Sequence, residues 1–167
     1  MIHEALYSSR SEEWATPPDF FRLLDEEFNF TLDACATPAN AKCIKFFTKR
    51  EDGLRQDWGT ETVFCNPPYG KQMRAWGRKC HDAALNGATV VMLAHSRTDT
   101  RWFHDWVYQR AAEIRFVRGR VKFGDGKQSA PFPSMVAIFK PPKDITQWNS
   151  NNLAMNSSKK PESKSKL

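Results

Sequence analysis

Apolar residues follow two alternating patterns along the chain, one typical of helices and the other of buried strands. Helical spacing runs through 20–28, where the apolar side chains are Phe20, Phe21, Leu23, Leu24 and Phe28. Thr16-Pro17-Pro18 precedes this segment and favours a helix start, because threonine can cap a helix and proline suits its first turn. Further helices are predicted over 74–85, ended by Asn86-Gly87, and over 100–110.

Short apolar runs predict the strands, which are expected at 30–33, 44–48, 62–65, 88–94, 114–117 and 135–139. The run at 88–94 is almost continuously apolar, as in a parallel strand that is covered on both faces. Strands alternate with helices through most of the chain. This order predicts an α/β fold with a mostly parallel sheet and helices on both faces. Ligands of such sheets bind at the carboxyl ends of strands, where Asp33 and Asn66 stand.

Composition divides the chain into one domain and a tail. Residues 1–142 contain enough apolar and aromatic side chains for a single domain, in which 1–13 is expected to be an arm or a loop. Residues 143–167 are polar and basic and are predicted to be disordered. The net charge is +6, and the tail contributes +3 of it, with five lysines against one Asp and one Glu. This excess fits a polyanionic partner, and it fits ordinary solubilising charge equally well.

The four cysteines and the lengths of the apolar runs exclude two classes of protein. No two cysteines have C-x-x-C spacing, so a zinc site is not expected. We expect them to be reduced thiols of an intracellular protein. No apolar run approaches the ~18–20 residues that a membrane span requires, so no membrane partner is predicted.

Asn66-Pro67-Pro68-Tyr69 directly follows the predicted strand 62–65 and carries the clearest chemical meaning. An aromatic amine is a poor nucleophile because its lone pair is delocalised into the ring. Two acceptors aimed at its N–H groups, the Asn66 side-chain oxygen and the Pro67 carbonyl, would stabilise the positive charge that develops. Tyr69 offers a flat face on which a planar base can stack. The alternative interpretation is a proline-rich turn after a strand.

Two further segments can face a substrate. The glycine-rich loop 118–132 interleaves Phe123 and Phe132 with basic residues, which are Arg118, Arg120, Lys122 and Lys127. This mixture suits phosphate contact and base insertion, and it equally fits an exposed hairpin with ordinary charges. His95-Ser96-Arg97-Thr98 follows the predicted strand 88–94. A role of His95 as catalytic base is the weaker interpretation, since a methylated amine can lose its proton to water.

The sequence resembles the amino-methyltransferases that carry an (Asp/Asn/Ser)-Pro-Pro-(Tyr/Phe) motif, and it is similar to the small phage Dam-type adenine methyltransferases. The resemblance covers most of 14–139. It rests on ordered strings, which are Trp14-x-Thr16-Pro17, Leu32-Asp33-Ala34-Cys35-Ala36, Asp52-Gly53-Leu54, Asp57-Trp58, Cys65-Asn66-Pro67-Pro68-Tyr69, Gly119-Arg120-x-x-Phe123 and Ala130-Pro131-Phe132. It implies a Rossmann-like methyltransferase fold in which the cofactor segment precedes the catalytic one, as in the gamma class.

The resemblance also implies roles for single residues. Thr16 would lie by the methionine end of S-adenosylmethionine, and Asp57 near the adenine of this cofactor. The segment with Asp33, Ala34 and Cys35 would wrap the cofactor. Each has a local alternative, since Thr16 can cap a helix, Asp33 can cap a turn and Asp57 can pair with a nearby cation.

The chain departs from the wider superfamily after its first predicted strand. Ala34-Cys35-Ala36-Thr37 stands where a Gly-x-Gly is usual, although small residues still permit close backbone approach. Only 28 residues separate Asp33 from Thr62, which is too few for two helix–strand units. A strand of the usual sheet is therefore expected to be shortened or absent.

The expected function is methylation of the N6 amino group of an adenine that is flipped out of double-stranded DNA. S-adenosylmethionine would be the cofactor, S-adenosylhomocysteine the product, and no metal would be needed. Two alternatives stay open: methylation of RNA adenine or of a protein glutamine in the same pocket, and a catalytically silent DNA-binding protein. The expected location is the cytoplasm, that of the host cell if the protein is phage-encoded.

Overall fold

The computed structural model describes residues 14–124, 127 and 129–143. The predicted arm 1–13 and almost all of the predicted tail therefore lie outside the described residues. The strands are β1 (Leu32–Asp33), β2 (Lys45–Phe46), β3 (Thr62–Cys65), β4 (Thr89–His95), β5 (Glu113–Phe116) and β6 (Ser134–Phe139). The helices are α1 (Pro18–Phe28), α2 (Met73–Leu85) and α3 (Arg101–Phe103), and α3 continues into a π-helical turn, His104–Tyr108.

The strands form one six-stranded sheet in the order β2-β1-β3-β4-β6-β5. Neighbouring strands from β2 to β4 are parallel, whereas β6 runs antiparallel to both β4 and β5. The predicted mostly parallel α/β sheet is thus confirmed, and the reversal of β6 makes it a mixed sheet. Asp33 is opposite Phe64 in the β1–β3 register, so the carboxyl ends of these two strands meet at one edge.

Helices cover both faces of the sheet. On one face, Val63, Val90 and Met92 pack with the buried side of α2 and with α3. On the other face, Phe64, Val91 and Leu93 pack with α1 through Leu24. Strand β4 therefore buries side chains on both faces, which is why its sequence is apolar at nearly every position. Each such side chain contributes roughly 1.5–3 kcal/mol through burial.

The segment between β1 and β3 is short, as its length predicts. Residues 34–61 contain the two-residue strand β2 and no helix. Strand β2 is shorter than the predicted 44–48, because Ile44 is fully exposed and adds no apolar contact to the sheet. The connection instead folds back through Gly53, where an added Cβ would lie only 2.1 Å from the Ala34 carbonyl oxygen. This close approach brings 48–53 beside the end of β1.

Two helices differ from their predicted form. Helix α1 begins at Pro18 with Pro17 as its N-cap residue and no side-chain cap, so Thr16 does not cap it. The predicted helix over 100–110 is a short α-helical turn followed by the wider π turn. This turn lies against α2 at Gly77, where an added Cβ would come within 3.1 Å of the Trp106 Cβ. None of the helices in the described part of the chain is long and apolar enough to cross a bilayer.

Candidate active site

A cavity of about 800 Å³ opens at the carboxyl ends of β1 and β3. Its wall combines the segment 14–16 before α1, the loop 33–37 after β1 and Asn66-Pro67-Pro68 after β3. Lys71, Gln72 and Trp76 close it from the start of α2. The structure therefore brings Thr16, Asp33, Ala34, Cys35, Asn66, Pro67 and Pro68 together around one space. Its position follows from the topology, because adjacent parallel strands expose their carboxyl ends at the same edge.

The Asn66 side chain leaves its oxygen free at the cavity wall. Its Nδ2 donates to the Trp14 carbonyl oxygen and, over 2.9 Å, to the Thr16 hydroxyl oxygen. Since a carbonyl oxygen only accepts, the Trp14 contact fixes the amide nitrogen on that side. Oδ1 then points the other way, and it is buried with no hydrogen-bond partner among the described residues. An unpaired buried acceptor costs about 1–3 kcal/mol, which a ligand with an N–H group would recover.

Asp33 holds the loop that forms one side of the cavity. Asp33 is only 3% exposed, and its carboxylate accepts the backbone N–H groups of Lys42 and Cys35 over 3.0 and 3.4 Å. Burial raises the pKa of Asp33, and the two backbone hydrogen bonds oppose that rise. Ala34 continues the β1–β3 ladder through its N–H bond to the Phe64 carbonyl oxygen. Asp33 thus lines the cavity and also fixes the fold of its wall.

Tyr69 belongs to a neighbouring aromatic cluster, and it does not line the cavity itself. Its ring centroid lies 4.9 Å from that of His95 and 5.4 Å from that of Phe132. Its hydroxyl group donates to the Leu93 carbonyl oxygen over 3.4 Å. Burial raises the pKa of Tyr69, so the hydroxyl group stays neutral. The ring lies three residues after Asn66 in the chain and is almost fully buried.

The structure separates Asp57 from the other predicted cofactor residues. Asp57 is exposed, lies outside the cavity wall and accepts the Gly59 N–H over 2.9 Å in a local turn. The nearby acidic side chain that does line the cavity is Asp52.

The predicted DNA-contacting residues lie on the connection between β5 and β6. Arg118, Arg120, Lys122 and Lys127 are all exposed there. Val121 and Phe123 alternate with Arg120 and Lys122 and are buried, so these two basic side chains share the outer side. The Gly124 N–H donates to the Ala15 carbonyl oxygen over 2.8 Å, which ties this loop to the cavity wall.

The sequence is similar to those of known DNA-modifying proteins. The sequence model of a family described as DNA N-6-adenine-methyltransferase (Dam) matches residues 4–161. The chain belongs to this family. It is 32% identical over 141 residues to the DNA N-6-adenine-methyltransferase of Haemophilus phage HP1, which covers 80% of this chain and 81% of that relative. It is 29% identical over 106 residues to the DNA N-6-adenine-methyltransferase of Escherichia phage T1, covering 62% and 44%.

Several polar residues of this Dam-family cavity carry no signal in the sequence. Lys42, Lys49 and Lys71 line it from three separate loops, and Asn40 and Thr37 line it from the β1–β2 connection. Only the folded chain brings such residues together. Trp76 was detectable as a buried residue, because Met73, Trp76 and Cys80 recur at helical spacing on one side of α2. Within the described residues, no group of three or more His, Cys, Asp or Glu is arranged to hold a metal ion.

Proposed function

We propose that the protein transfers the methyl group of S-adenosylmethionine to the N6 amino group of adenine in double-stranded DNA. The observation that carries this proposal is the buried Oδ1 of Asn66, which has no partner in the described chain and stands at the wall of a large cavity. The relatives from phages HP1 and T1 are named DNA N-6-adenine-methyltransferases, which supports adenine in DNA as the substrate. Family membership supports the reaction class, and the geometry of Asn66 supports the amino group as its target.

The cavity suits a ligand of the size and charge of S-adenosylmethionine. Its volume of about 800 Å³ lies within the range of ~300–1,000 Å³ typical of small-molecule sites. Lys42, Lys49 and Lys71 can receive a carboxylate group, and Thr16 and Asp33 also line the cavity. Ala34 and Cys35 present small side chains next to them. Asp57 stays a prediction from the resemblance, and its exposed carboxylate would need a rearranged loop to take part.

The bound cofactor would supply a methyl group on a positively charged sulfur. The protein's own contribution is to hold the amine. Asn66 Oδ1 would accept one N–H of the target amino group, and the Pro67 carbonyl, held by the restricted dihedrals of Pro67 and Pro68, would accept the other. These acceptors gain strength as the nitrogen becomes positive, so they favour the transition state over the ground state. One such contact is worth roughly 10²–10³ in turnover.

The target base would leave the duplex and stack on Tyr69, because the amino group is inaccessible inside base-paired DNA. Arg118, Arg120, Lys122 and Lys127 would contact phosphates, since all four are exposed on the loop that is tied to the cavity wall. A protein with this substrate would act where the DNA is. That place would be the cytoplasm, of the host cell if the protein is phage-encoded.

The test offers labelled S-adenosylmethionine to duplex DNA, RNA and a protein extract in parallel and identifies the methylated product by mass spectrometry. We expect N6-methyladenine in DNA, and sequencing of methylated bases in expressing cells then gives the target site. If the label appears only in RNA adenine or in protein glutamine, the proposed substrate is wrong, while the proposed role of Asn66 is retained. Absence of S-adenosylhomocysteine binding by calorimetry would instead indicate a silent DNA-binding protein.

A further inference from the structure

Phe132 fills a box of aromatic side chains beside the cavity, and the two share Trp14. We define the aromatic box as Trp14, Tyr69, His95 and Phe123. Their ring centroids lie 5.1, 5.4, 5.8 and 6.1 Å from that of Phe132, in this order. Phe132 is half-buried, whereas its chain neighbours on both sides are exposed prolines. A single ring thus enters the box from a surface loop.

The box has unsatisfied polar atoms at its base. His95 Nδ1 and Ser134 Oγ are buried and have no hydrogen-bond partner among the described residues. His95 and Ser134 are directly opposite each other in the β4–β6 register, so their side chains leave the same face of the sheet within roughly 4.5–5.5 Å at Cβ. Ser134 is only 1% exposed. Buried polar atoms are rarely left unpaired, and two neighbouring ones indicate a group that is bound at another stage.

We propose that the aromatic box is the pocket of the target base. The base would take the place of Phe132 against Tyr69. His95 and Ser134 would contact the ring nitrogens of the base. This inference rests on the proposed function and specifies how the base is recognised. The donors match the chemistry of adenine, whose ring nitrogens accept hydrogen bonds beside an amino group that donates them. Asn66 Oδ1 serves the amino group, and the Ser134 hydroxyl and one N–H of a neutral His95 serve the ring.

Two features of the fold bear on how the box would take a base. Ser96 donates its backbone N–H to the Pro133 carbonyl oxygen over 2.8 Å, so the end of β4 is tied to the loop just after Phe132. The backbone next to Phe132 is therefore anchored, so the base would displace the Phe132 side chain by a change of rotamer. Burial lowers the pKa of His95, which keeps the imidazole neutral and able to donate from one nitrogen and accept at the other.

The test replaces the target adenine by 1-deaza-, 3-deaza- or 7-deazaadenine in duplexes that carry the methylated site. Single-turnover methylation rates and DNA dissociation constants are measured for each. For the parent protein, we expect at least one analogue to lower the single-turnover rate divided by the DNA dissociation constant about tenfold. This is the effect of losing one hydrogen bond to a buried donor. His95→Phe keeps a ring in the box and removes both nitrogens, so it should lose the discrimination against that analogue. His81→Phe, a half-buried histidine on α2 outside the box, is the matched control.

Ser134→Ala gives an independent second variant, because removing an unpaired buried hydroxyl group should leave the fold intact even if His95→Phe does not fold. Loss of discrimination in either variant, with His81→Phe unchanged, supports the pocket. Equal rates for adenine and all three analogues in the parent would overturn it. So would full discrimination retained in both Ser134→Ala and a folded His95→Phe. Absence of N6-methyladenine with any DNA would instead overturn the proposed function.

Discussion

Replacement of Asn66 by alanine removes two kinds of interaction that the structure allows us to separate. The Nδ2 bonds to the Trp14 carbonyl and the Thr16 hydroxyl hold the segment 14–16 against the cavity. Each is worth about 1 kcal/mol, so the free energy of unfolding should fall by roughly 2 kcal/mol and Tm by about 4–8 °C. The free Oδ1 acts mainly in the transition state, and its loss should lower turnover about 10²–10³-fold.

Thr16→Val is the control that isolates the catalytic part. Thr16→Val removes one of the two hydrogen bonds that position Asn66 and leaves Oδ1 in place. The free energy of unfolding should therefore fall by about 1 kcal/mol, and turnover should fall less than about tenfold. The assays are single-turnover methylation of duplex DNA, thermal unfolding, and calorimetry with S-adenosylhomocysteine. Turnover of Asn66→Ala within about threefold of the parent would refute the mechanism. An equal loss in Thr16→Val would assign Asn66 a purely structural role.

Four further changes test the site. Because burial raises the pKa of Asp33, its ionisation should oppose folding, so the parent should lose stability relative to Asp33→Asn as pH rises through the ordinary carboxyl range, measured by urea unfolding at about pH 3–7. Gly53→Ala should clash with a backbone oxygen and weaken S-adenosylhomocysteine binding at least tenfold by calorimetry, whereas Gly59→Ala, with open space but φ +53°, should cost only about 1 kcal/mol in thermal unfolding. Tyr69→Phe should retain much activity. Tyr69→Ala should weaken the free energy of DNA binding by about 1–3 kcal/mol, measured by DNA titration. Removal of 143–167 should leave a folded, active domain with a shallower salt dependence of DNA binding, measured by anisotropy.

The strands that the sequence located best are those buried on both faces. Strand β3 occupies 62–65 as predicted, and β4 is displaced by one residue from the predicted 88–94. Complete burial leaves an unbroken apolar run that a pattern can detect. Strand β2 has no such run, since Lys45 is exposed, and its pairing with β1 depends on tertiary contacts. The π turn after α3 could not be predicted either, because the apolar spacing was compared only with the α-helical period.

The site was predictable where topology alone decides it. Asp33 and Asn66 meet because their strands are parallel neighbours, and this follows from strand order. The orientation of the Asn66 amide was not predictable, because it depends on the Trp14 carbonyl, which lies fifty-two residues earlier in the chain. Nor does any local signal distinguish Asp57, which is exposed, from Asp52, which lines the cavity. Gly53, the residue after Asp52, lies against the Ala34 carbonyl oxygen, and this tertiary contact places Asp52 beside the cavity.

The segment 14–16 links the two halves of the site, and this affects how mutational losses are assigned. Its Trp14 carbonyl and Thr16 hydroxyl fix Asn66, and its Ala15 carbonyl accepts the Gly124 N–H of the basic loop. The Trp14 ring also contacts Phe132 and Phe123, which are carried by that same loop. Groups in one network do not contribute additively. A change in this segment should therefore alter cofactor affinity and DNA affinity together. Of the turnover lost in Asn66→Ala, only the part that exceeds the loss in Thr16→Val can be assigned to Oδ1.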